Sequence, residues 1–151
     1  MATFQPGDPA YESRVRASFA RQSMMTVLGA SLERVGPGEV DIRLPFRADL
    51  TQQHGFLHAG VTTTIADSAC GYAAFTLMPP GAAVLTVEFK VNLMAPAAGE
   101  TFVARGRVVR AGRTLTICSG DVFALDGKDD KHVLTMLATV MTVQNRSGLS
   151  D

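Results

Sequence analysis

Tryptophan is absent from this 151-residue chain, and so is any excess of charge: 14 Lys and Arg stand against 14 Asp and Glu. Without a basic surplus there is little to neutralise a run of phosphates or to hold an anionic membrane surface. The few aromatic residues do not alternate with basic ones, as a base-stacking platform requires. Nucleic-acid and membrane-surface roles are set aside on these grounds. Cysteine is scarce too. Cys70 and Cys118 lie inside apolar stretches with no CxxC spacing, and they read as reduced core residues rather than a disulfide, metal or redox pair. No apolar run approaches the roughly 20 residues that span a bilayer. The first residues lack the basic-then-apolar pattern of a secretory leader, so a cytoplasmic protein is expected. Strands do not alternate with helices, which disfavours a parallel sheet. No internal repeat or low-complexity tract is present.

What is there fits one domain over residues 1–151, long enough to bury roughly 70% of its unfolded surface. Residues 1–9, with Pro and Gly, read as a loose tail, and 10–22 as a helix. Two strands, 27–34 and 40–44, flank the turn Gly36-Pro37-Gly38, and 45–53 is a loop. A long helix runs from about Gly60 to Leu77 and is stopped by Pro79-Pro80-Gly81. Four strands follow: 84–93, 101–110, 114–125 and 132–143. In the first of these Leu85, Val87, Phe89, Val91 and Leu93 alternate with Thr86, Glu88, Lys90 and Asn92. The last three join through short turns as antiparallel neighbours. The core spans about 27–143, and 144–151 is a polar, frayed tail. The class is α+β, one antiparallel sheet wrapping one central helix; a helix apolar on nearly every side is expected to be buried all round.

One residue breaks that helix's apolar character. Between Asp49 and Glu88, Asp67 is the only Asp, Glu, Lys or Arg. A carboxylate taken from water needs a partner or a task. It is either a structural acid, paired with a distant Arg or capping a neighbouring backbone, or a catalytic carboxylate made more basic by burial. Thr63, Thr64 and Gly71 lie one turn away on the same side, forming a small polar patch with open space. Ala59-Gly60 falls where the helix begins, and free N–H groups there favour negative charge. Two readings of it stand: an oxyanion hole for a carbonyl under attack, or a tight entry of the chain into the helix. Gln52 sits in a loop, where a solvated side chain is ordinary. His54 and His58 have HxxxH spacing, but Gly55 and the missing HExxH glutamate argue against a metal site. His58 reads as a loop anchor through a ring hydrogen bond.

Ala59 and Asp67 are eight residues apart, roughly 12 Å along a helix. A base and an oxyanion donor must both come within about 3 Å of one reacting group. If both are catalytic, two chains must share each site, in a two-fold dimer.

The run Gln52-Gln53-His54-Gly55-Phe56-Leu57-His58-Ala59-Gly60 followed by Asp67, with Thr86-Val87-Glu88-Phe89-Lys90-Val91-Asn92-Leu93-Met94-Ala95-Pro96 after the helix, resembles the hotdog-fold acyl-CoA thioesterases. The resemblance is to the PaaI-type (phenylacetate-degradation) branch and to the 4-hydroxybenzoyl-CoA thioesterases, from about Val27 to Val143. It implies a hotdog fold, an active site shared by two subunits, and a homodimer that pairs into a homotetramer. It implies that Asp67 activates water or attacks the thioester, and that the Ala59 N–H, at the Ala59-Gly60 helix start, polarises the carbonyl. Gln52 then orients water or thioester, with His58 beside it, and Thr86 positions the water. Arg113 and Thr114 match a turn that contacts the CoA nucleotide. Phe56, Leu57, Tyr72, Phe75 and Met78 either line an apolar pocket for aryl or medium-chain acids or are plain core. Many PaaI-type members have Asn in place of Gln52 and HGG in place of His58-Ala59-Gly60; the Ala59 methyl narrows the approach to the backbone. The implied activity is hydrolysis of an aryl- or medium-chain acyl-CoA, with no metal and no cofactor besides coenzyme A as part of the substrate. A hotdog hydratase relying on His58 and a non-catalytic acyl-CoA-binding module are the alternatives.

Overall fold

Small and apolar side chains over Ala59–Phe75 form the long helix that the sequence predicts, here α3. The computed structural model describes residues 4–127 and 130–149. Two shorter helices precede α3: α1 (Tyr11–Arg21) and α2 (Ser23–Leu28). The strands are β1 (Ser31–Gly36), β2 (Glu39–Pro45), β3 (Ala83–Leu93), β4 (Thr101–Ala111), β5 (Leu115–Leu125) and β6 (Asp130–Val143). They form one antiparallel sheet in the order β1-β2-β4-β5-β6-β3, curled around α3. The expected α+β arrangement is therefore observed, with β4-β5-β6 as the predicted meander.

The helix lies directly on the sheet because two strands carry no side chain where it crosses. Gly106 and Gly120 face each other across β4 and β5. A Cβ on Gly106 would stand 2.3 Å from the carbonyl of Ala69, and one on Gly120 would stand 2.7 Å from the Cys70 Sγ. Opposite them α3 presents Ala66, Ala69, Cys70 and Ala73, all fully buried. The two cysteines are free and buried, and burial pushes the Cys118 thiol up to about 12, so both behave as core residues.

Burial of α3 is one-sided in its first half. From Ser68 to Phe75 every residue is buried, but Gly60, Val61, Thr63, Thr64 and Asp67 are not. The expectation of burial all round holds only for the second half. The gap lies beside β3, an edge strand with no neighbouring strand on its outer side among the described residues. That edge carries exposed Val87, Phe89, Leu93 and Met94.

A bulge between Thr86 and Glu88 interrupts the alternation predicted for β3. Thr86 pairs with Val140, and past the bulge Phe89 and Val91 pair with Ala138 and Met136, all three partners being buried core residues. The extra residue thus moves Thr86 from the expected polar face to the face looking at α3.

Two further expectations are corrected. The predicted strand from Val27 is helical at its start: Val27 and Leu28 close α2, and the chain turns at Gly29, whose φ of 74° suits glycine. The segment before α1 is docked rather than loose over its described residues. The Gly7 N–H donates to the Thr76 carbonyl at 3.3 Å, and Phe4 packs against the core. Arg14 donates to Asp8 and to the Met78 and Pro79 carbonyls, and lies over the Phe75 ring. At the other end, Arg146 and Leu149 form a bridge in the described part of the tail.

Candidate active site

Asp67 is half-buried on the open side of α3, and the bulged strand brings a partner to it. Thr86 Oγ1 donates to Asp67 Oδ1 at 2.8 Å. Burial pushes the carboxyl above its ordinary value, and the Thr86 hydrogen bond pulls it partly back. Asp67 opens into a cleft of about 310 Å³ with a largely polar lining, including Ser18, Gln22, Ser68, Tyr72 and Thr86. The one cationic side chain that borders this cleft among the described residues is Arg21, near the end of α1.

The head of α3 is built by its approach loop. The His58 N–H donates to the Leu50 carbonyl, and Leu57 N–H to the Ala97 carbonyl, fixing the chain's direction. The His58 ring caps the helix: Nδ1 accepts the Gly60 N–H at 2.8 Å, so its proton sits on Nε2. This is the loop-anchoring ring bond expected of His58. Val61 N–H and Thr62 N–H turn back to the His58 carbonyl. The Ala59 N–H alone of these finds no acceptor among the described residues. It is an orphan donor at the positive end of a long helix.

Ala59 borders a second cleft, about 480 Å³ and mostly apolar, lined by Phe56, Leu57, Leu93 and Met94, with Gln52 at its polar edge. Gln52 Oε1 accepts the His54 N–H, which holds its amide in place. Gln52 is therefore a fixed residue, unlike the solvated loop side chain that position alone suggests.

The sequence-predicted residues thus fall into three places. Asp67 and Thr86 share the polar cleft. Gln52, Phe56 and Ala59 line the apolar one, and the cap made by His58 with Gly60 flanks Ala59 in the chain without lining it. Arg113 and Thr114 are exposed in the β4–β5 turn; Arg113 borders a third cleft of about 250 Å³ with Met78 and Pro79, past the C-terminal end of α3. Of the acyl-pocket candidates, Phe75 is plain core, Met78 is buried against the third cleft, and Tyr72 lines the acid cleft. Sequence reasoning missed Ser18, Gln22 and Ser68. The available clue was a hydroxyl on the buried face of α1, three residues after Val15.

Residues 54–131 match the family model of the thioesterase superfamily, and the chain belongs to that superfamily. A crystal structure of a thioesterase family protein from Silicibacter pomeroyi superposes with a TM-score of 0.88 at 51% identity, over 89% of this chain and 99% of that one. Human acyl-coenzyme A thioesterase 13 is 29% identical over 128 residues, 79% of this chain and 91% of the relative. A Halobacterium salinarum protein described as a candidate esterase is 34% identical over 99 residues, 62% of this chain; the match spans 65% of that relative's length.

Proposed function

We propose that the chain is an acyl-CoA thioesterase of the PaaI-type branch, converting an aryl- or medium-chain acyl-CoA and water to a free acid and CoA in sites shared by two subunits. The observation that carries this reading is the separation of two complementary groups. A basic carboxylate and an orphan amide donor open into different clefts of one chain, roughly 12 Å apart along α3.

The edge strand supplies a way to join them. The acid cleft sits by the Val84–Thr86 end of β3, and the amide cleft by its Leu93–Met94 end. Two copies of β3 paired antiparallel about a two-fold axis lie with opposite ends together. Each acid cleft then abuts the amide cleft of the partner, twice per dimer, and the exposed apolar edge is covered. The exposed Leu85, Leu115 and Leu137 support pairing of dimers into a tetramer. Two buried, unpaired thiols fit a reducing compartment such as the cytoplasm.

In this proposal the thioester oxygen accepts the Ala59 N–H of one subunit, where charge builds up during attack. Thr86 occupies Oδ1 of Asp67 in the other, leaving Oδ2 to take a proton from water. The water oxygen bonds to the acyl carbon, the tetrahedral intermediate expels the thiolate, and Asp67 returns the proton to sulfur. The side-chain amide of Gln52 orients the thioester, His58 keeps the loop in register, and Arg113 and Thr114 meet the CoA nucleotide. No metal or further cofactor takes part. The test is a thioesterase assay over aryl, short, medium and long acyl-CoAs. Turnover of one class that vanishes in Asp67→Asn supports the reading; equal turnover in that variant defeats it.

A further inference from the structure

Past its bulge, β3 turns Glu88, Lys90 and Asn92 to the outer face of the sheet, opposite Thr139, Leu137 and Thr135 of β6. Glu88 Oε1 accepts from Thr139 Oγ1 at 3.2 Å, and Lys90 Nζ donates to Asn92 Oδ1 at 2.9 Å. Neither charge forms an ion pair among the described residues, and both are exposed on the unpaired edge strand. Charges on an edge ordinarily keep other strands away. A Glu and a Lys two residues apart on one face also fit a second copy of themselves.

We propose that Glu88 and Lys90 fix the register in which two copies of β3 pair, with Phe89 on the two-fold axis and Glu88 of each copy opposite Lys90 of the other. This rests on the two-chain reading above and adds what selects one pairing from several. Directly opposed residues of an antiparallel pair share a face, so the axis passes through a residue and not between two. An axis at Glu88 sets Glu88 against itself, and one at Lys90 sets Lys90 against itself; like charges directly opposed are destabilising. An axis at Val91 sets Lys90 against Asn92. Of these positions, only Phe89 gives two pairs of opposite charge.

The clefts lead to the same register independently. Counted through the bulge from an axis at Phe89, Thr86 comes opposite Val91 and Val84 opposite Leu93. Val84 and Thr86 line the acid cleft, and Leu93 lines the amide cleft. Moving the axis by one residue slides one strand past the other by two, roughly 7 Å. A base and an oxyanion donor must come within about 3 Å of one carbonyl group, so such a slip takes the site apart.

Cysteine substitution reads the axis directly. Phe89→Cys, Glu88→Cys and Lys90→Cys are each oxidised with copper phenanthroline; Cys70 and Cys118 are buried and do not compete. A residue on the axis faces its own copy at a Cα distance of about 4.5–5.5 Å, within disulfide range. Phe89→Cys should therefore crosslink into dimers, and the other two, more than about 7 Å from their own copies, about tenfold more slowly or not at all. The charges are tested by exchange. Glu88→Lys and Lys90→Glu each oppose like charges twice in a homodimer, but together they make two pairs of opposite charge. Refolded at equal ratio, an indifferent interface gives about half heterodimer. Ion-exchange chromatography should instead show more than about four-fifths heterodimer, and the E88K/K90E double variant should dimerise as wild type does. Crosslinking through Glu88→Cys or Lys90→Cys in place of Phe89→Cys, or heterodimers at only half, would overturn the register and leave the two-chain reading standing. A wild type that sediments as a monomer would remove both. If Phe89→Cys no longer dimerises, the exchange experiment decides alone.

Discussion

The two clefts of one chain are opposites. One is polar and holds a half-buried acid whose charge is opposed by burial and eased by a single hydroxyl. The other is apolar and holds a backbone donor, a fixed glutamine and no acid of its own among its described lining. Either would be unremarkable alone: an acid without an electrophile to work on, or an apolar groove with a spare N–H. Each contains what the other lacks, and α3 carries both Asp67 and Ala59 while keeping them too far apart to meet. The difference between the clefts is thus a statement about assembly as much as about chemistry.

The largest expected effect comes from erasing the acid. Asp67→Asn should lower kcat/KM about 10²–10⁴-fold, the usual worth of a general base. It should also raise the thermal midpoint at neutral pH. The folded-state pKa of Asp67 is raised, so its contribution to stability is fully present below the unfolded carboxyl's pKa and is lost as pH rises through the folded value. At neutral pH the ionised group is a burden that Asn removes. A variant that loses activity and stability together would mean that Asp67 is structural.

Separating the clefts without touching either comes next. Phe89→Lys places a charge on the exposed edge of β3. Sedimentation should show monomers, with most activity lost and the circular dichroism spectrum retained; an active monomer would show that each chain holds a complete site. Gly106→Ala strikes the seat of α3, the helix that carries a residue of each cleft. Its new methyl would push α3 off the sheet, lowering the unfolding free energy by about 1–3 kcal/mol in urea titration. Unchanged stability would mean that the helix seat is softer than the 2.3 Å approach implies. The smallest effect belongs to Thr86→Val. Removing the hydrogen bond that lowers the Asp67 pKa should move the acid limb of the kcat/KM profile to higher pH, with less than about a tenfold loss at the plateau. A limb that stays in place would remove Thr86 from the site.

Much of this was legible in the sequence where local pattern and tertiary environment agree. The small, uncharged run around Asp67 specifies a buried helix, and Pro79-Pro80 closes it off as expected. Asp67 itself was visible because no other charge competes for notice over that stretch. Local pattern misleads where one residue redirects it. Alternation across Leu85–Leu93 is real, yet the bulge at Val87 turns Thr86 toward α3, and nothing in a period of two announces an inserted residue. Val27-Leu28 looks like strand, but the left-handed turn at Gly29 ends a helix there. The docking of Phe4 and Gly7 and the part played by Ser18 and Gln22 come from contacts far apart in the chain, which periodicity does not encode.

Whether two chains build each site is settled most directly by mixing two disabled proteins. Asp67→Asn damages only the acid cleft, and Gln52→Ala only the amide cleft. Unfolded together and refolded at equal ratio, half of the dimers are mixed, and each mixed dimer has one site with both defects and one with neither. Activity should recover to about a quarter of wild type, well above either parent. Activity no higher than the parents, with mixed dimers shown by mass spectrometry to be present, would mean that Asp67 and Gln52 act within the same chain.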